Sequence, residues 1–146
     1  MTELPLASRL AGYALIAVIG LYTVLLGWWQ AMVLSGRPMQ NPDGSTDDWR
    51  VHKTHFGMAV ADLLLTCPVS IGGIALVFLA PRWGYFVLSL IAFWFVWANL
   101  MTTSMSLRFE RPRITLSWLF VFPSGILVGG AYLFWMVIHF DVVLAQ

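Results

Sequence analysis

The chain has 146 residues, of which 60% are hydrophobic and only 10% charged, with a formal net charge of +1. Soluble domains carry about 25% charged residues, so this composition excludes an ordinary soluble globule, and the near-neutral balance argues against a nucleic-acid partner. Cys67 is the lone cysteine, which excludes an internal disulfide and a cysteine-based metal cage.

Four apolar stretches, roughly Leu10–Leu34, Phe56–Leu79, Trp83–Leu107 and Ile114–Phe140, take up most of the chain. Each exceeds the ~20 residues needed to cross a bilayer core. The expected fold is an all-α membrane protein: a four-helix transmembrane bundle with short connections, forming one domain over residues 1–146. Its first partner is then the lipid bilayer.

The first stretch is too long for the 7–15-residue core of a secretory signal and reads as a retained span. Gly12, Gly20 and Gly27 recur along it at near-helical spacing and suit a close-packing stripe. Ser35-Gly36-Arg37-Pro38 ends the helix, and Asn41-Pro42-Asp43-Gly44 matches a type I turn. Ser45 or Thr46 offers an N-cap, with Asp47 and Asp48 at the positive helix end, so the second helix is expected to start near Thr46. It would run through His52 and His55 into the second span.

That span carries Asp62. The residues His52, His55, Ala59, Asp62 and Thr66 follow at steps of three, four, three and four, which places them on one helical stripe. With the bilayer starting near Phe56, Asp62 lies about 9 Å deep at ~1.5 Å per residue. A carboxylate at such depth must face the bundle interior and find a partner. Pro68, and Pro123 in the fourth span, each remove a backbone donor and favour a kink that frees the carbonyls of Leu64 and Leu119.

The third span supplies polar groups at matching depth, Asn99, Thr102, Thr103 and Ser104, with Arg108, Glu110, Arg111 and Arg113 just beyond and Gln30 at the end of the first span. Trp94 and Trp97 sit mid-span and read as bulky packing. The fourth span contains the GxxxG of Gly125–Gly129, a spacing that lets two helix backbones approach, within the bundle or against another copy of the chain. Tyr13, Trp83, Tyr85, Tyr132 and Trp135 at one end, and Trp28, Trp29, Trp49 and Trp118 at the other, are expected to form aromatic belts at the headgroup level. Six basic residues (Arg37, Arg50, Lys53, Arg108, Arg111, Arg113) flank loops one and three against two (Arg9, Arg82) on the other side. The positive-inside rule then puts loops one and three in the cytoplasm, in a bacterial inner (plasma) membrane.

Four readings of the Asp62 cluster follow. In the first, Asp62 bonds Asn99 or Thr103 and pins two helices. In the second, Asp62, Thr66, Asn99, Thr103, Arg108 and Arg111 form a site that binds or transports a small or lipophilic ligand. In the third, His55 and Asp62 act as acid and base on a lipid or lipophile. In the fourth, His52, His55 and Glu110 hold a metal; Asp62 is about 10 Å from His55 along the axis and cannot share that ion. No hydrolase elbow, phosphate-cradling loop, HExxH or CxxC occurs, and the sequence leaves any cofactor unknown. The expected role is a small polytopic protein that binds or moves a ligand, alone, as a homo-oligomer or as a subunit of a larger membrane complex.

Overall fold

The computed structural model describes residues 4–37, 39–40, 44, 46–47, 53–109 and 113–145. The described residues are helical nearly throughout. Helix α1 spans Leu6–Ser35; a two-residue ladder, β1 (Met39–Gln40) and β2 (Thr46–Asp47), follows; then come α2 (Lys53–Ala61), a π-helical turn (Asp62–Thr66), α3 (Cys67–Leu79), α4 (Pro81–Phe109), α5 (Leu116–Val121), α6 (Ser124–Ile138) and α7 (Phe140–Leu144). Four helical stretches, Leu6–Ser35, His55–Leu79, Pro81–Phe109 and Leu116–Ile138, are long and apolar enough to cross a membrane. They lie within a few residues of the boundaries expected from composition, because apolar run length alone sets them.

The spans pack as a ring in chain order. Helix α1 lies against α2 and α3, α3 against α4, α4 against α6, and α6 against α1. The outer faces carry large apolar side chains such as Leu64, Phe78, Phe93, Leu127 and Phe134, all largely exposed. Helices that are apolar on every side fit an apolar surrounding rather than water.

Small residues set the close contacts. A Cβ on Gly129 would collide with the Ala92 carbonyl oxygen, and one on Gly125 would strike the Asn99 side-chain amide. The GxxxG of the fourth span is therefore an internal seam against α4. At the α3–α4 corner a Cβ on Gly84 would overlap the Val77 backbone nitrogen.

The structure differs from the expectations of the sequence in four places. Thr46 and Asp47 do not begin the second helix. They pair with Gln40 and Met39 in an antiparallel ladder, with Gly44 at φ +88° in the loop between, and the helix starts at Lys53. Here the ladder, rather than a helix, satisfies the backbone of Thr46 and Asp47.

Pro68 produces not a simple kink but the π turn before it. The Cys67 N–H bonds the Asp62 carbonyl, five residues back, and Pro68, next along the same unbroken helix, has no N–H to donate to the turn before it. Pro123 breaks the fourth span between α5 and α6, and the Ser124 hydroxyl donates to the Phe120 carbonyl at the break.

The aromatic belts are also incomplete. Trp28 and Trp83 face outward, but Tyr85, Tyr132, Trp135 and Trp118 are buried. Three of these buried rings donate to a partner: the Tyr132 hydroxyl to the Tyr85 carbonyl at 3.2 Å, the Trp135 indole to the Ser8 carbonyl at 3.0 Å, and the Trp118 indole to Ser106 Oγ at 3.1 Å. Trp49 lies outside the described residues.

Candidate functional site

The interface of α1 with the second span is a register of small and polar pairs. Gly20 faces Ile74, and Thr23 meets Ser70 with their hydroxyl oxygens 2.7 Å apart. Gly27 opens onto Cys67 Sγ, which itself donates to the Thr23 carbonyl at 3.7 Å. Gln30 then reaches Asp62, and Val33 packs with Ala59. The π turn brings Thr66 and Cys67, adjacent in sequence, both to the inner face, where a regular helix would send one of them aside.

Asp62 is 3% exposed. Gln30 Nε2 donates to its Oδ2 at 2.7 Å, and the Trp94 indole N–H donates to Oδ1 at 3.1 Å. Thr66, one turn along the same span, adds a side-chain hydrogen bond. Three spans thus converge on one carboxylate. An indole nitrogen can only donate, so Asp62 Oδ1 is held as an acceptor.

The carboxylate forms part of the wall of a cavity of about 230 Å³. The cavity lies in the half of the bundle nearer loops one and three, between Tyr22–Val33 of α1, His55–Asp62 of the second span, Trp94–Met105 of α4 and Phe120–Phe122 at the break of the fourth span. Its wall is rich in rings: Tyr22, Trp29, Trp94, Phe95, Phe120 and Phe122. Tyr22 touches Phe95 and Phe120, with ring centroids at 6.1 and 6.0 Å, and Trp94 stacks on Trp97 at 5.1 Å. Leu25, Phe120 and Val121 line the cavity and are also exposed on the outer surface, so it opens sideways between α1 and α5.

The residues expected to form the site divide into three sets. Asp62, Asn99 and His55 line the cavity together, and Thr66 supports Asp62 from behind. Asn99 does not bond Asp62; its amide donates to the Phe95 carbonyl at 2.9 Å. Thr103 stays off the cavity with its hydroxyl buried and, among the described residues, without a partner, and Arg108 is exposed at the end of α4. His52, Glu110 and Arg111 lie outside the described residues, so the expected metal set and the Arg111 contact are not placed. Among the described residues no three His, Cys, Asp or Glu side chains gather as a metal site would need.

Depth along the spans pointed to Asn99 and missed Trp94. The indole's reach brings it to a carboxylate that shorter side chains at matching depth do not meet. A tryptophan in the middle of a span rather than at its end was the available signal, since its N–H demands a partner there. No known protein family, curated protein or solved structure matches this chain.

Proposed function

We propose that this chain is an integral membrane protein whose four spans enclose a binding site for a small lipophilic ligand, which it holds or carries within the bilayer. One observation supports this above others: a ring-lined cavity, open at its side, has a single buried carboxylate fixed in its wall by donors from three spans. A carboxylate serving only to pin helices would not need an open volume beside it. Ligand sites are commonly apolar with a few placed polar groups, which is the composition of this wall.

In this reading the protein sits in a bacterial inner (plasma) membrane with loops one and three in the cytoplasm. Its partners are the bilayer and, through its outward faces, a second copy or the subunits of a larger membrane complex. The experiment fills the cavity. Ala98→Phe places a ring into the wall at a half-buried position. Lipophiles extracted from the wild-type protein after mild-detergent purification should be absent from the folded variant. The same lipophile content in both would overturn the proposal.

A second reading rests on His55, which lines the same cavity as Asp62. There the pair would serve as acid and base on a lipophilic substrate. His55→Ala would then remove turnover and keep ligand binding; unchanged turnover rejects that role.

A further inference from the structure

Several donors along the cavity are turned to acceptors of the protein itself, and the strongest polar group left in its wall, the Asp62 carboxylate, is an acceptor. Gln30 and Trp94 donate to Asp62. Asn99 donates to the Phe95 carbonyl, and the Thr102 hydroxyl donates to the carbonyls of Ala98 and Asn99, at 3.0 and 3.2 Å. A carboxylate offers about four lone-pair sites, and the three donors leave at least one. No Lys or Arg is among the described residues that line the cavity; the one basic side chain there is His55, two turns from Asp62 on the same span. The rings of Tyr22, Trp29, Phe95, Phe120 and Phe122 line the same volume, and the faces of aromatic rings are electron-rich. Carboxylate and ring faces share one ligand preference. Both attract a cation, and rings alone attract it best when it is organic and weakly hydrated.

We propose that the cavity binds a lipophilic organic cation, an amine or quaternary ammonium on an apolar body, with its charged head beside Asp62 and its body among the rings. This rests on the ligand-binding reading above and specifies its substrate class. The volume sets the size. At about 230 Å³ it falls just below the ~300–1,000 Å³ of ordinary ligand pockets. It accommodates a small cation whole, or the head of a longer one whose tail leaves through the side opening at Leu25, Phe120 and Val121. The ligand therefore reaches the site from the bilayer.

Three probes of one shape and different charge test this: benzyltrimethylammonium, its neutral carbon counterpart neopentylbenzene, and the anion benzylsulfonate. Binding is measured by equilibrium dialysis against the full chain in lipid nanodiscs, with empty nanodiscs as the blank. The cation should bind at least tenfold more tightly than the neutral probe, and the anion should not bind saturably. Asp62→Asn should bring the cation's affinity down to that of the neutral probe, and Ala98→Phe should abolish both. Because the comparison of charges is made on the wild-type protein, the result stands even where Asp62→Asn fails to fold. Equal or tighter binding of the neutral probe, or preference for the anion, overturns the cation preference and leaves the cavity as a lipophile site. Absence of saturable binding by all three, with Ala98→Phe indistinguishable from wild type in co-purified lipophile, overturns both.

Discussion

Asp62 is the residue on which the molecule turns, and its energetics explain why it has so many neighbours. Placing an aspartate near the centre of a membrane helix costs on the order of 3 kcal/mol. Hydrogen bonds between membrane helices average about 0.6 kcal/mol, and those to charged groups in proteins reach ~1.5–3 kcal/mol. One donor does not offset that cost with any margin; Gln30, Trp94 and Thr66 together do. Removing a single donor should therefore be felt. Trp94→Phe keeps a ring against Trp97 and deletes the N–H, so it should lower unfolding free energy in mild detergent by ~1–3 kcal/mol. Trp97→Phe alters the same stack on its exposed side and should cost under ~1 kcal/mol. Equal losses in thermal or denaturant unfolding would assign the effect to stacking rather than to the hydrogen bond. The acid itself was legible in the sequence because an ionisable side chain inside an apolar span has few tolerable positions. Its partners were not, because matching residues by depth ignores how far each side chain reaches.

At the scale of elements, the seams between helices are built from what is missing as much as from what is present. Gly129 lets α6 approach the Ala92 carbonyl, a backbone atom that cannot move aside. Gly129→Ala should therefore destabilise by ~1–3 kcal/mol through overpacking. Gly130, one residue on, has nothing within 4 Å of the place a methyl group would occupy and serves as its control. Gly130→Ala should be neutral or stabilise by up to ~1 kcal/mol through helix propensity. Gly125→Ala belongs between them, since it meets the movable end of Asn99 rather than backbone. Midpoints of unfolding in one detergent rank the three, and any other order contradicts the seam. The spacing of Gly125 and Gly129 announced a close approach, and span lengths announced the four helices. The π turn was beyond reach of periodicity. Pro68 signals only that a hydrogen bond must be lost, and whether the helix bends or widens depends on what faces it. Here Cys67 Sγ packs against Gly27 at a distance that would still admit a Cβ, 3.5 Å, and donates to the Thr23 carbonyl. The wider turn brings Thr66 and Cys67 inward together. Pro68→Ala restores the donor and should let the turn relax towards an α-helix, withdrawing Thr66 from Asp62. Weaker cation binding with preserved helical content by circular dichroism is the expected outcome, and unchanged binding would show that the turn does not position the site.

For the whole molecule, the two ends of the bundle differ in kind, and orientation decides which compartment each one meets. The end bearing the termini has a packed interior, with an apolar outer groove along Tyr13, Gly20, Ile74 and Phe78. Leu4 and Val143 are buried there, Ser8 hydrogen-bonds His139, and Trp135 fills the space above Gly12 and donates to the Ser8 carbonyl. The other end holds the cavity, and the break at Pro123 leaves α5 as a separate short helix whose end lines it. On the proposed reading, a ligand taken from the bilayer at that level would be delivered towards, or received from, the compartment of loops one and three. The orientation proposed above makes that compartment the cytoplasm, with Arg37, Arg108 and Arg113 exposed on that side and Arg82 at the opposite corner. Single cysteines placed in a Cys67→Ser background test the assignment directly. In spheroplasts, Arg82→Cys should react with a membrane-impermeant maleimide at once, and Arg108→Cys only after permeabilisation. The reverse pattern would leave the cavity and its carboxylate intact but turn them to face outward, so that the site would take its cation from, or release it to, the outer leaflet instead.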